Sequence, residues 1–441
     1  MLVSEESSAV IAARVGTIAA SPQAPENLIR AASRRMAASA IQLMVHENLA
    51  AVEATWRAFE TEADCTAFQT FAWHDAWQRT IGDRSRARPA IVEGRDGGRL
   101  LFIMPLAVEP GVLARRLVWH ASDLCDYNQP LLAADFFERV PAGRFAALWE
   151  EIGASIRSRH SLRYDVVILE GMTESIGGHD NPFRQLRVTP HSSSAYMMRI
   201  AGDWETFYRD KRSSATRRHD RSKRKRLAES GAVSFITAAT ACDAEITLDA
   251  FFAQKAASFA TRGVPNFLAR PGTRDFYRAV ASDPSLSGVV HVSRLQVGGI
   301  AAAANLGMVF RGRYYHILAS YDGGPISRFG PGTAHLHALI DYALQRGCSE
   351  FDFTVGDEPY KRDWCDQVTR LHDFRGAQTL RGSAVVTGAR MASRVKRRIK
   401  HSPLLWRVFT AARLLTAPVR RRSHSIGSDT VDRAGDAGEG T

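Results

Sequence analysis

Phe351-Asp-Phe-Thr-Val-Gly-Asp-Glu-Pro-Tyr-Lys-Arg-Asp-Trp364 is the stretch from which the fold of this chain is read. Phe351 and Phe353 alternate with Asp352 and Thr354, the two-residue period of a strand with one apolar face. Gly356 and Pro359 stop that strand, so Tyr360, Lys361 and Trp364 fall on the loop or turn that follows. A phenol, an ammonium and an indole just past a strand's carboxyl end can grip and protonate a small ligand. They can equally be two aromatic loop anchors beside a solvated lysine. Both readings are open at this point.

Immediately upstream lies Ser327-Arg328-Phe-Gly330-Pro-Gly332-Thr333, between a strand ending near Tyr321 and a helix predicted from Gly332 to Gln345. The first turn of a helix leaves N–H groups without partners, and its dipole favours an anion there. The glycines let backbone approach a phosphate, Thr333 offers a hydroxyl and Arg328 a charge. A Gly-Pro-Gly run is also a good helix start in its own right.

Asp352-Phe-x-x-Gly356-x-x-x-Tyr360-Lys361-x-x-Trp364 after that glycine run resembles the C-terminal part of the CelD/BcsL-type acetyltransferases. These belong to the broad GNAT group and are relatives of the FemAB-type aminoacyl transferases. Phe68-Gln69-Thr-Phe-Ala-Trp73-His-Asp-Ala-Trp77, Pro105-Leu106 and Asp126-Tyr127 resemble the same family's N-terminal motifs, in the family's order. The resemblance covers about Ile41 to Gly376. It implies an α/β (α+β) architecture of two GNAT-like domains in tandem, each a mixed, largely antiparallel sheet flanked by helices. It further implies transfer of an acyl group, from acetyl-CoA or another acyl-CoA, to an amine or hydroxyl of a polysaccharide or cell-envelope precursor. The expected setting is exopolysaccharide (cellulose) biosynthesis, and the expected acceptor a small molecule or a lipid-linked sugar.

Under this resemblance Arg328, Gly330, Gly332 and Thr333 hold the pyrophosphate. Tyr360 protonates the leaving thiolate, Lys361 holds a phosphate or carboxylate, and Asp352 reaches the cleft from its strand. Gln69, Trp73, Asp126, Tyr127, His316, Tyr321 and Trp364 are expected to contact substrate. Pro331 departs from the superfamily's phosphate-loop pattern by removing one N–H. One alternative follows from that departure, a FemAB-like donor carried on aminoacyl-tRNA; a second, a GNAT-like scaffold without catalysis in a membrane-associated synthesis complex, would be tethered by the segment after Gly376.

The wider element pattern agrees with two α/β layers. A strand near Ile41–Val45 precedes helices at 49–62 and 71–80, where Trp73 and Trp77 share one face and read as core. Ala90–Glu93 and Leu100–Met104 flank Asp96-Gly97-Gly98, a turn built for positive φ. A strand at 116–120, a helix at 142–159 and a buried strand at 164–169 complete the first half. In the second, strand 195–200 leads into one long helix from Trp204 to Glu229. Strand 233–237 follows, then helices 249–260 and 274–281 and strands 289–297, 300–310 and 314–321. The domain reading is 1–40 disordered, 41–190 and 191–380 as the two halves, 381–422 basic and amphipathic, and 423–441 disordered.

The chain has 441 residues and a formal charge of +12. Arg381 to Arg422 holds 12 Lys and Arg and no acid, so the remainder is neutral overall. That segment mixes Trp406, Phe409 and leucines with arginines, a pattern for an anionic membrane surface over 391–422. A second basic run, Lys211 to Arg226, is expected to meet an acidic carrier protein or tRNA, or to be a solvated helix. It contains no aromatic residue, so base stacking there is not expected. Hydrophobic and charged contents of 45% and 24% are those of a globular protein. No apolar run has membrane-spanning length. Five scattered cysteines without Cys-x-x-Cys spacing point to a reducing cytoplasm, with a peripheral place at the inner membrane as an extension. No metal-ligand spacing is present, and His335 and His337 fall on different helix faces.

Overall fold

The computed structural model describes residues 41–388. The segments read as a disordered start (1–40), most of the basic region 381–422 and the tail 423–441 lie outside the described residues. The described residues up to Ser383 (41–383) form one compact unit; of the second unit, Ala384–Thr441, only 384–388 are described.

One order of elements occurs twice within the first unit. Strand Gln42–His46, helices Glu53–Phe59 and Phe71–Trp77, strands Arg88–Asp96, Arg99–Glu109 and Arg116–Trp119, helix Arg144–Ser158 and strand Val166–Thr173 make the first set. Strand Val233–Thr237, helices Ala241–Arg262 and Thr273–Ser282, strands Val290–Val297, Ile300–Phe310 and Arg313–Tyr321, helix Pro331–Gln345 and strand Glu350–Val355 make the second. In each set the strands pair antiparallel in sequence order, except that the last joins its neighbour in parallel. This is the tandem α/β architecture the resemblance implies.

Local chemistry explains most boundaries. The hairpin at Asp96 turns through Gly97 and Gly98, whose φ values of 54° and 85° a side chain would resist. Helix Arg144–Ser158 buries Phe145, Leu148, Trp149, Ile152 and Ile156, one stripe at helical spacing, in the core of the first sheet. Trp73 and Trp77 are buried as their spacing predicts, Trp73 edge-on to Phe68 and Phe276.

Three features depart from the sequence reading. The basic helix is two helices, Trp204–Lys211 and Ser214–Glu229. Arg212 is extended, and the Ser213 hydroxyl caps the second helix by accepting from the Thr216 N–H. Helix Ala241–Arg262 starts earlier than its apolar period suggests, because Thr240 caps it. Strand Leu371–Ala377, assigned by sequence to residues 191–380, lies in the first sheet, between Val166–Thr173 and Val188–Pro190. Ala195–Arg199, by contrast, pairs with Glu350–Val355 in the second sheet, as its assignment to residues 191–380 predicts. The first half thus completes its sheet with a strand from beyond its own stretch of chain, while the second closes its sheet with its own first strand. Phe374 explains part of the crossing: it packs on the first core, edge-on to Trp149.

Candidate active site

The parallel pair of the second sheet supplies the opening. Arg313, Tyr314 and Tyr315 pair with Glu350, Phe351 and Asp352, and the pairing ends there although the strands run on to Tyr321 and Val355. Two parallel strands that part leave backbone groups on both facing edges without sheet partners. On one edge the register with Ile300–Phe310 slips between His316 and Leu318, so Ile317 is the extra residue of a bulge. On the other, Thr354 has φ +57°, a conformation that β-branched residues rarely adopt. Gly171, next to a matching register slip in the first sheet, has φ +69°. The second half therefore keeps with a threonine a bend that the first makes with glycine, at a conformational cost of about 1–3 kcal/mol.

The helix Pro331–Gln345 begins at this opening. Gly330 caps it in the left-handed region (φ +67°), and its first turn carries the free N–H groups of Gly332 and Thr333. A Cβ on Gly332 would lie 3.2 Å from the Tyr321 ring, so the helix start sits against the end of the parted strand. Beside it an open groove of about 630 Å³ is lined by Lys223, Arg226, Arg328 and Phe329. Arg328, Gly330, Gly332 and Thr333 are thus brought together, with Lys223 added from a helix the phosphate reading had not included.

A buried polar cluster marks the point where the strands part. The Tyr127 hydroxyl, from the first half, donates to Asp352 Oδ1 at 2.7 Å. The Thr354 N–H donates to the same oxygen at 2.8 Å, and Arg313 Nη1 lies 3.5 Å from Oδ2. Burial pushes the Asp352 carboxyl up, against Arg313, Tyr127 and the Thr354 N–H. Next to Tyr127, Asp126 is half-buried and burial pushes it up to about 6, opposed by the Thr354 hydroxyl and the Lys361 charge. Lys361 is buried rather than solvated, its Nζ 3.1 Å from the Val355 carbonyl and 3.0 Å from Glu358. Replacing Tyr127 by Phe should cost about 1.5–3 kcal/mol in urea unfolding, since a buried carboxylate loses a donor. A loss under about 0.5 kcal/mol would mean that Asp352 does not depend on this bond.

The other sequence candidates separate. Tyr360 is 41% exposed on the short helix Pro359–Arg362, with its ring 6.0 Å from Phe353, and stands at the cleft. Tyr321 is exposed at the strand end. His316 is buried and pushed down to about 3 by desolvation and by the Lys361 and Lys255 charges. Gln69 spends its amide internally, accepting from the Thr66 N–H and hydroxyl and donating to the Tyr127 carbonyl. It positions Tyr127 rather than meeting a ligand. Trp73 and Trp364 are 0% and 3% exposed core residues, Trp364 lying under the Arg212 guanidinium.

A cavity of about 400 Å³ between the halves approaches Asp352 from the other direction, lined by Tyr127, Gln129, Thr173, Arg313 and Tyr315. Sequence reasoning had not singled out Arg313 or Gln129, which carry no local motif. Among the described residues no His, Cys, Asp or Glu group is arranged to hold a metal, and no helix is long and apolar enough to cross a membrane. His335 and His337 are both buried but face different neighbours, Ser293 and Asp220.

The comparisons agree with this geometry. No curated protein matches the chain. Among solved structures it is similar to FemX, with a TM-score of 0.52 and 10% identity over 75% of this chain and 96% of that one. A conserved protein of unknown function from Bacteroides thetaiotaomicron gives 0.49 and 12% over 76% and 100%. The C-terminal domain of a putative lysylphosphatidylglycerol synthetase from Agrobacterium fabrum gives 0.46 and 12% over 78% and 97%. Residues 214–362, which contain the parted strands and the glycine-capped helix, match the family model described as an acetyltransferase (GNAT) domain. Residues 214–362 thus resemble a GNAT-type domain, and the chain shares its overall fold with FemX.

Proposed function

We propose that the protein is an acyltransferase that moves an acyl group from an acyl-CoA thioester to an amine or hydroxyl of a cell-envelope or exopolysaccharide precursor, without an acyl-enzyme. The observation that carries this reading is the parting of the parallel strands after Tyr315 and Asp352, against a glycine-started helix. A pantetheine arm fits between two strand edges that offer hydrogen bonds, and a pyrophosphate fits the free N–H groups of Gly332 and Thr333. Lys223 and Arg328 add charge beside it.

In this reading the acceptor enters through the cavity between the halves. Asp126 takes the proton of the attacking amine or hydroxyl as the new bond to the carbonyl carbon forms. Backbone N–H groups freed by the bulge at Ile317 stabilise the developing oxyanion. The carbon–sulfur bond then breaks, and the thiolate takes its proton from Tyr360 or water. Lys361 and Asp352 hold the strand end and the Tyr127 contact rather than reacting. The CelD/BcsL-type role in cellulose or other exopolysaccharide synthesis, on the cytoplasmic side of the membrane, belongs to this proposal and rests on the motif resemblance. So does an anionic membrane contact through 391–422.

Calorimetric titration with acetyl-CoA and CoA tests the donor. Micromolar binding is expected in the wild type and at least about a hundredfold loss in Gly332→Glu, whose carboxylate would meet the phosphates and whose side chain meets Tyr321. A folded wild-type protein that binds neither thioester nor CoA would overturn the CoA donor. It would favour the second reading, a FemAB-like donor on tRNA, which the seven Lys and Arg of helix Ser214–Glu229 support.

A further inference from the structure

Helix Ser214–Glu229 separates two grooves. Its Lys223 and Arg226 face the helix start described above, while Arg217, Arg221 and Arg224, spaced four and three apart, form a stripe on its opposite side. That stripe lines a second groove of about 370 Å³, a volume typical of small-ligand sites.

The floor of this second groove is aromatic, although residues 211–226 contain no aromatic side chain. The preceding helix folds back and supplies Trp204 and Tyr208, which stack on each other with centroids 4.7 Å apart and an interplanar angle of 16°. Tyr208 is in turn stacked at 6.4 Å on the buried Trp364. Trp204, half-buried, is thereby held in place with part of its surface on the groove.

The rim carries charge with little internal compensation. Arg209, Arg217, Arg221 and Arg224 share the groove with the single carboxylate of Glu205, and Arg209 also lies 3.5 Å from Asp210 outside it. Asp220, the acid on the basic helix nearest to them in sequence, is turned inward. It accepts from the Tyr208 hydroxyl at 2.6 Å and lies 3.9 Å from His337 Nε2. Arg224 only reaches the His337 ring, at 3.4 Å, Arg217 donates to the Arg209 carbonyl, and Arg221 has no hydrogen-bond or ion-pair partner among the described residues. Guanidiniums that outnumber the carboxylates around them favour a phosphate, which they bind with paired donors.

We propose that this groove is a nucleotide site, with phosphates on Arg217, Arg221 and Arg224 and the base against Trp204. It is separate from the proposed donor cleft and does not depend on the identity of the donor. The nucleotide chemistry has two sources, a free nucleotide diphosphate such as one carrying a sugar acceptor, and the nucleotides of an RNA end. Both present a flat base and adjacent phosphates.

The test is titration of the full chain with uridine diphosphate, inorganic pyrophosphate and a ten-nucleotide single-stranded RNA, followed by Trp fluorescence and calorimetry. The variants are R217A/R221A, W204A and, for the other groove, K223A/R328A. R217A/R221A should weaken the nucleotide at least about tenfold, as loss of two charge-assisted contacts predicts. W204A should remove the advantage of uridine diphosphate over pyrophosphate and leave pyrophosphate unchanged. K223A/R328A should change neither. Tighter binding of uridine diphosphate assigns a free nucleotide; binding of RNA alone, with the same variant pattern, assigns an RNA end. Binding of neither, or binding abolished by K223A/R328A but not by R217A/R221A, would overturn the site. Circular dichroism melts of R217A/R221A and K223A/R328A should superpose on wild type, while W204A, which loses the stack on Tyr208, should melt lower but remain folded at the temperature of the titration.

Discussion

Asn in place of Asp126 should slow acyl transfer by about 10²–10⁴-fold with acetyl-CoA affinity unchanged within about a factor of two, the loss expected for removal of a general base. The basis is the environment of the carboxyl. Burial raises it to about 6, while the Thr354 hydroxyl and the Lys361 charge hold it from rising further. A base of that strength is ionised at neutral pH yet strong enough to share a proton with the attacking group. The wild-type rate should therefore fall on the acid side with a midpoint near 6, as Asp126 takes a proton. Removing the nearby positive charge with Lys361→Met should raise the Asp126 pKa and move that limb to higher pH. A pH–rate profile on each protein reads both effects. An Asn variant within threefold of wild type would remove Asp126 from the chemistry.

Acid should unfold this protein at a pH where many globular proteins are still stable. Burial pushes His120, His291, His316 and His335 down to about 3 from an ordinary 6.5, and His337 to about 4; His74 is also well below the ordinary value. The sign follows from linkage. A depressed histidine is neutral in the fold and protonates first in the unfolded chain, so its contribution is complete above about 6.5 and declines as pH falls. At pH 5 each of the four at about 3 has lost about 2 kcal/mol, roughly 8 kcal/mol together. Asp126, raised to about 6, works the other way and returns about 1 kcal/mol over the same interval, and the raised carboxyls of Glu60, Glu109, Asp123 and Asp352 act in its direction. The net loss is comparable with the total stability of a typical domain. Thermal melts should fall by at least about 10 °C between pH 7.5 and pH 5. A melting temperature constant across that range would show that these rings are not buried neutral. His335→Asn should reduce the proton uptake on unfolding at pH 5 by about one.

The legibility of the chain divides along physical lines. Period-two and helical apolar patterns, glycine turns and hydroxyl caps are local, and most element boundaries follow them. Phe351–Thr354 as a strand, the Asp96-Gly97-Gly98 hairpin and the helix starting at the glycine run are examples. The tandem order was equally visible, because each half repeats the local signals. The crossing of the closing strand was not, since Leu371–Ala377 looks the same whichever sheet it joins. That choice is made by distant partners such as Trp149 for Phe374.

Residue roles followed the same rule. The sequence alone singled out the glycine run at the start of helix Pro331–Gln345 and, through the motif resemblance, Asp126-Tyr127. Only the tertiary structure decided what each side chain does there. Lys361 read as solvated or ligand-binding but is buried against the Val355 carbonyl. Trp364 read as a contact but supports a stack. The basic helix read as charged on all sides, and folding sorted those charges into two grooves and laid Trp204 beside one of them. Burial and proximity between residues far apart in the chain set pKa values, exposure and partners. No pattern along a single segment encodes those quantities.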